Sequence, residues 1–404
     1  MARDIAFREY KKKCDIHGTV LYPAVMVAPV QKSILSDLID KKKHMKIFDP
    51  FHGSGTSLYE AMEISDNVDL IGCDINPLAN LITKVKLQGV SSNIANDIDQ
   101  IKELLRMPFN NNIYYFPNIS KWFREDIISS LSHVRNCIMR IEDQKNRLFF
   151  WCMSSDVVRK YSNTRSSTYK LHTKKQDDIN KLENNLIKDF VKSIEANSGK
   201  FTHHCSSFTL LKGDSLSLIN DFQPNEFDIC ITSPPYGDNS TTVPYGQFSM
   251  LPLYWINKDD LELEGWEFEN YSIIDSKSLG GVFSQAKENR TNMSILAPYI
   301  KQISTEKQKK VLRYFNDYFV FLDEICRVTS TYIIITLGNR TVDGVNINLT
   351  EITNQYLTQK GFSQKETMER NIISKRMPKK ISCVRNSPVS SMNKEYVIVM
   401  QKLK

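Results

Sequence analysis

The chain has 404 residues, enough for a large buried core and one to three domains. Its hydrophobic (41%) and charged (25%) fractions are those of an ordinary soluble globular protein. No apolar run approaches the ~20 residues needed to span a bilayer, and Met1-Ala-Arg-Asp-Ile is not read as a signal peptide. The net charge of +7 permits a polyanionic partner without demanding one. Eight cysteines lack any Cys-x-x-Cys pair, so they read as reduced thiols, and a cytoplasmic location is expected. Cys14 with His17, and His203-His204-Cys205, are metal-like, yet neither has a matching second half. No metal is expected.

In chain order, Lys11-Lys12-Lys13 reads as solvated surface. An amphipathic helix is predicted from Gln31 to Lys43. Met45-Lys-Ile-Phe48 predicts a strand that feeds into Asp49-Pro-Phe-His-Gly-Ser-Gly-Thr56. A helix should follow from Ser57 to Ile64, then a second strand from Val68 to Cys73, ending at Asp74. Asn76 is a good helix cap and Pro77 suits the first helical turn. Two βα units in succession predict a parallel sheet. Gly53 and Gly55 allow backbone to approach a ligand at the mouth of the first strand. The helix beginning near Thr56 offers free N–H groups to an anion such as a carboxylate. Asp74 is placed to hydrogen-bond ribose hydroxyls.

Residues 87–205 are different in character. Helical periodicity runs over Ile98 to Leu105, Ile127 to Ile141 and Ile179 to Ile194. Aromatic clusters at 114–116, 122–123 and 149–151 read mostly as this region's own core. The run from Arg159 to Lys170 is basic, rich in hydroxyls and poor in apolar residues. Arg159, Lys160, Arg165 and Lys170 are candidate phosphate contacts, with a solvated loop as the competing reading.

Further on, Ile229-Cys-Ile-Thr232 reads as a short buried strand that stops at Ser233-Pro234-Pro235-Tyr236. Two prolines fix their own φ and donate no backbone hydrogen bond, so the chain leaves the sheet stiffly. Ser233 and Tyr236 then stand at the carboxyl end of a strand, the edge where open α/β sheets bind ligands. Gly237 to Ser249 suits a mobile, substrate-contacting loop. Leu261 to Glu269 is acidic, and Gly280-Gly281 suits a hinge or turn. A helix from Gln308 to Cys326, a strand from Thr331 to Leu337, a helix from Thr350 to Gln359 closed by Gly361, and a strand from Glu395 to Met400 complete the prediction.

Asp49-Pro-Phe-His-Gly-Ser-Gly-Thr56 resembles the S-adenosylmethionine loop of DNA amino-methyltransferases, and Thr232-Ser-Pro-Pro-Tyr236 resembles their catalytic motif. Tyr22-Pro23-Ala24 is similar to a motif that precedes the cofactor loop in part of that family. Asp74-Ile-Asn-Pro-Leu-Ala79 is similar to the second cofactor motif. Lys212-Gly-Asp-Ser-Leu216 fits the position where an acid meets the cofactor's adenine. The resemblance covers roughly the first 86 residues and most of the chain after 206. It implies an α/β, Rossmann-like class I methyltransferase fold with a mostly parallel sheet and an antiparallel closing strand. The core would be discontinuous, 1–86 and 206–404, around a largely helical insert, 87–205, that reads DNA. A variable substrate-contacting segment would occupy 237–310.

The same resemblance implies S-adenosylmethionine as cofactor, held by Tyr22, Asp49, Pro50, Phe51, Gly53, Gly55, Thr56, Asp74 and Asp214. It implies Ser233, Pro234, Pro235 and Tyr236 as catalytic residues acting on double-stranded DNA, with a cognate restriction endonuclease as a further partner. Serine at 233 is found mostly in relatives that methylate cytosine N4, so that product is expected. N6-adenine methylation, an RNA N2-guanine methyltransferase and an inactive specificity subunit are the alternatives. No Pro-Cys dipeptide occurs, which argues against C5-cytosine chemistry. Two departures stand out. The cofactor motifs precede the catalytic motif, where many relatives have the reverse order. His52 replaces a residue that is often cysteine and is expected to point to solvent. Lys375-Arg376 and Lys379-Lys380, in the closing hairpin, are candidates for backbone contact or plain surface charge.

Overall fold

The computed structural model describes residues 7, 9–109, 112–237, 243–263, 271, 273–281, 293–372, 380–384, 387–390 and 394–403. Seven strands form one sheet: β1 (Met45–Asp49), β2 (Val68–Asp74), β3 (Phe208–Lys212), β4 (Phe227–Thr232), β5 (Thr329–Leu337), β6 (Phe362–Asn371) and β7 (Lys394–Lys402). Their spatial order is β3-β2-β1-β4-β5-β7-β6. β7 runs antiparallel to β5 and to β6, and the other pairings are parallel. This is the Rossmann-like sheet with an antiparallel closing strand that the motifs implied.

The helices are α1 (Ala28–Leu38), α2 (Thr56–Ile64), α3 (Pro77–Gln88), α4 (Ile94–Arg106), α5 (Glu125–Ile138), α6 (Gln144–Tyr161), α7 (Leu186–Asn197), α8 (Tyr245–Trp255), α9 (Thr305–Val328) and α10 (Leu349–Gln359), with shorter turns between them. Alternate strand residues face opposite layers. Ile47, Leu70 and Ile229 pack with α1, α2, α3 and the 87–205 region. Phe48, Phe227 and Ile333 pack with α9 and α10. Strands covered on both faces read as continuous apolar runs, which is why β4 and β5 were legible.

Residues 87–205 contribute α4 to α7 between α3 and β3. The middle of α6 is buried on every side, with Leu148, Phe149, Phe150 and Trp151 all enclosed, while its charged residues lie toward the two ends. Its core is continuous with that of α1 to α3. The predicted helix from Ile179 to Ile194 is corrected to a short turn, Gln176–Asn180, followed by α7. Asn184 breaks it: its side chain accepts from Leu186 N at 3.3 Å and donates to Asp126 O at 3.1 Å. Asparagine competes in this way for backbone groups that a helix would use. α1 begins earlier than predicted because Pro29, in its first turn, already has helical φ.

The expected loop over 237–249 is also corrected in part, since Tyr245 opens α8. α8 and the segment after it are bolted to the 87–205 region. The Arg159 guanidinium lies 3.9 Å over the Phe248 ring and donates to the Phe248 carbonyl at 2.8 Å. Arg147 makes a forked contact with buried Asp260, and Trp151 Nε1 donates to the same carboxylate at 2.8 Å. Trp255 packs edge-on against Phe116 and Phe123. Gly280 takes φ +71° in a turn after the short helix Ile273–Lys277, and its N–H donates to Asp317 at 2.7 Å. Residues 238–242 and 264–270, with Lys375, Arg376 and Lys379 of the expected basic hairpin, lie outside the described residues. Among the described residues no helix is long and apolar enough to cross a membrane, and no group of three His, Cys, Asp or Glu side chains is placed to hold a metal ion.

Candidate active site

β1, β2 and β4 are parallel and adjacent, with Asp49 opposite Gly72 and Phe48 opposite Cys230. The loops that leave them therefore emerge on one edge. Between these loops lies a cleft of about 820 Å³, counted out to open solvent. Of the sequence-predicted residues, Tyr22, Phe51, Gly53, Thr56, Asp74, Asp214, Ser233 and Pro235 line it. Asp49, Pro50, Gly55 and Pro234 are not among its lining residues, and Tyr236 lines a separate hollow with Tyr314 and Arg340.

The glycine loop is shaped by its own backbone. Gly53 and Gly55 adopt φ +52° and +71°, the left-handed region that side chains resist. A Cβ on Gly55 would stand 2.6 Å from the Thr83 side chain. Gly55 caps α2, so the first N–H groups of that helix face the cleft. Thr56 Oγ1 is buried in the lining without a partner among the described residues. An unpartnered hydroxyl beside free helix N–H groups fits a ligand carboxylate.

Asp74 ties the loop to the end of β2. Its Oδ2 accepts from Gly53 N at 2.9 Å and its Oδ1 from Asn76 N at 2.8 Å. Burial pushes this carboxyl above its usual range, opposed by nearby His52 and the two N–H groups. Each carboxylate oxygen keeps a second lone pair for a ligand hydroxyl. Asp214 ends the loop after β3 and caps the short helix Ser215–Leu218, accepting from Leu216 N at 3.3 Å. The Ser215 hydroxyl donates to the Pro50 carbonyl and binds this turn to the glycine loop.

Several supports escaped the sequence reading. His52, expected at the surface, is buried, with ring nitrogens 3.0 Å from the Gly53 carbonyl and 3.2 Å from Asn80 Oδ1. It fits because position 72, on β2, is glycine: a Cβ there would meet the His52 ring at 2.7 Å. The Asn76 amide donates to Tyr22 Oη at 3.1 Å and Ser249 Oγ at 2.7 Å, joining three distant segments. Lys86 is buried and donates to the Ser54 carbonyl at 2.7 Å, with His17 Nδ1 3.2 Å away. Burial pulls its ammonium down to about 7. Its one sequence signal was a lysine four residues after Ile82, on an apolar face.

At the end of β4, the Ser233 and Tyr236 hydroxyls are 3.1 Å apart. Tyr236 donates onward to Glu395 Oε1 at 3.3 Å, and the Tyr314 hydroxyl donates to the Pro235 carbonyl at 2.7 Å. Of the basic run, Arg159 closes α6 and is spent on Phe248, while Lys160 pairs with Asp189. Arg165 and Lys170 are exposed on a loop that packs on α8 through Tyr169, whose ring is 5.7 Å from Phe248.

Asp49 lies beneath this edge, and its Oδ1 accepts from Phe51 N at 3.1 Å. Burial pushes its carboxyl from the ordinary 3.8 up to about 7, against the hydrogen bond from Phe51 N. The folded state therefore holds a proton that the unfolded state has lost between those values. The stability contribution is complete below about 4 and disappears as pH rises through about 7. Asp49→Asn lacks it. Urea melts of the two proteins should show the variant gaining on wild type as pH climbs across that window. A difference that stays flat with pH overturns the assignment.

No family model matches the chain. It is 27% identical over 418 residues to the type II methyltransferase M.MvaI of Kocuria varians, covering 96% of this chain and 89% of that protein. It is 31% identical over 123 residues to the type II methyltransferase M.MjaII of Methanocaldococcus jannaschii, covering 29% of this chain and 21% of that protein. Among solved structures, it is similar to a SAM-dependent methyltransferase of Methanosarcina mazei at 10% identity and a TM-score of 0.31, covering 95% of this chain and 99% of that one. That last likeness carries no argument, and the fold rests on the strand order itself. A glycine loop, a strand-end acid and a Ser-Pro-Pro-Tyr turn meet at one cleft, in a chain that is similar along almost its whole length to a type II methyltransferase.

Proposed function

We propose that the chain methylates the N4 amino group of a flipped cytosine at a specific site in double-stranded DNA, as the cytoplasmic modification partner of a restriction endonuclease. The observation that carries this reading is one cleft lined by Gly53, Asp74 and Asp214 on one side and by Ser233 and Pro235 on the other.

When bound, S-adenosylmethionine supplies a methyl group on a positively charged sulfur. Thr56 and the first N–H groups of α2 hold its carboxylate, Asp74 its ribose hydroxyls and Asp214 its adenine amino group. An exocyclic amino group is a poor nucleophile because its lone pair is delocalised into the ring. Ser233 Oγ and the Pro234 carbonyl accept hydrogen bonds from its two N–H groups and favour a tetrahedral nitrogen, which stabilises the transition state over the ground state. Tyr236 stacks on the base and holds its plane. A base within the duplex cannot reach this cleft and must be flipped out. The 87–205 region together with α8 forms the DNA-facing wall, with Arg165 and Lys170 toward the phosphates.

Asp74→Ala should weaken S-adenosylmethionine binding more than tenfold, from lost hydrogen bonds of roughly 1–3 kcal/mol. Calorimetry that finds affinity unchanged, both here and in Gly53→Val, counts against the cofactor site.

Arg165→Ala should flatten the salt dependence of DNA binding by about one unit. Arg159→Ala should instead lower the unfolding free energy by roughly 1–3 kcal/mol, because its guanidinium is committed to Phe248. Identical salt slopes for wild type and Arg165→Ala remove this residue from the interface.

Nucleoside analysis of DNA methylated in vitro should find N4-methylcytosine. N6-methyladenine as sole product moves the reaction to adenine and leaves the roles of Ser233, Pro234 and Tyr236 standing. Tyr236→Ala should cost the stacking energy, roughly 1–3 kcal/mol. Undiminished methylation in that variant overturns the mechanism.

A further inference from the structure

We infer that Glu395, on the antiparallel closing strand, is a positioning residue that sets the direction of the Ser233 hydroxyl and thereby makes it an acceptor toward the target amino group. The inference rests on the function proposed above. The argument is one of hydrogen-bond direction. Tyr236 has a single hydroxyl proton, and it is donated to Glu395 Oε1 at 3.3 Å. A carboxylate only accepts, so this direction cannot reverse. The Tyr236 oxygen can then take part in its 3.1 Å contact with Ser233 Oγ only as acceptor. Ser233 must donate its own single proton to Tyr236. Its oxygen is left with lone pairs and no proton to turn toward the cleft that it lines.

Without the carboxylate, both directions of the Ser233–Tyr236 bond are open. In the reverse direction Ser233 presents its proton to the substrate nitrogen. That would engage the lone pair needed for attack on the methyl carbon.

Glu395 is itself fixed. Its Oε2 accepts from Arg370 Nη2 at 2.6 Å. The two residues are direct cross-strand partners on β7 and β6, which is the sheet's standard site for an opposite-charge pair. The chain Arg370–Glu395–Tyr236–Ser233 thus runs from the sheet edge to the reacting atoms, and its outer half lies 134 or more residues from the catalytic motif in sequence.

A double-mutant cycle tests this. The turnover number would be measured for wild type, Glu395→Ala, Tyr236→Phe and the double variant, with saturating cofactor and DNA. Glu395→Ala should lower it about tenfold or more and leave S-adenosylmethionine affinity unchanged. In the Tyr236→Phe background, where no hydroxyl remains to be directed, the same change should matter less than about twofold. An equal loss in both backgrounds, or no loss in the first, overturns the inference. Should Glu395→Ala not fold, Glu395→Asp takes its place: it keeps the charge, withdraws the carboxylate from Tyr236, and is judged by the same two outcomes. A wild-type protein that transfers no methyl group to DNA overturns the functional reading itself, which separates that failure from this one.

Discussion

The Asp74 carboxylate accepts from Gly53 N on one oxygen and from Asn76 N on the other. The first bond holds the turn after β1, and the second holds the turn after β2. Removing that carboxylate would leave the buried Asn76 N–H without its acceptor, at a desolvation cost of about 1–3 kcal/mol, and would release the Gly53 N–H at the cleft. The rest of the edge follows from this clamp. Gly53 is pinned in the left-handed region, Gly55 is placed to start α2, and the helix N–H groups are aimed across the cleft. Asn76, fixed by the same turn, reaches Tyr22 and Ser249 and draws α8 over the site.

Burial gives this edge its electrostatic character. Asp49, Asp74 and Asp214 all lie where charging is disfavoured, and burial pushes each carboxyl upward. Lys86, beneath the glycine loop, is pulled the opposite way by the same cause. Desolvated carboxylates are costly to keep charged unless hydrogen-bond donors surround them. Asp74 has two from the chain and room for two more from a ligand. A polyhydroxylated, cationic ligand thus offsets a penalty already built into the fold.

The 87–205 region and α8 act as one wall because the aromatic residues and arginines of each are spent on the other. Phe248 carries the guanidinium of Arg159 over its ring and meets the ring of Tyr169 edge-on. Asp260 receives both Arg147 and Trp151. With Lys160 paired to Asp189, half of the basic run that the sequence offered for DNA is used up. What is left exposed, Arg165 and Lys170, stands on a loop seated directly on α8, the helix whose first residue lines the cleft.

The parallel sheet, both motif loops and most strand limits were legible from sequence, because they depend on local chemistry. Apolar runs of strand length, Pro-Pro, glycines between strand and helix, and Asn76-Pro77 each act within a few residues. The same locality explains what was missed. Whether His52 points out or in depends on position 72 being glycine, twenty residues away on another strand. Arg159 looked like a phosphate contact because a sequence shows charge and not the ring beneath it. Glu395 read as the polar first residue of an apolar strand, and it reaches Tyr236 only because β7 inserts antiparallel between β5 and β6. Direction and partner for a buried polar group are set by strand order and packing, and these exist only once the whole chain has folded.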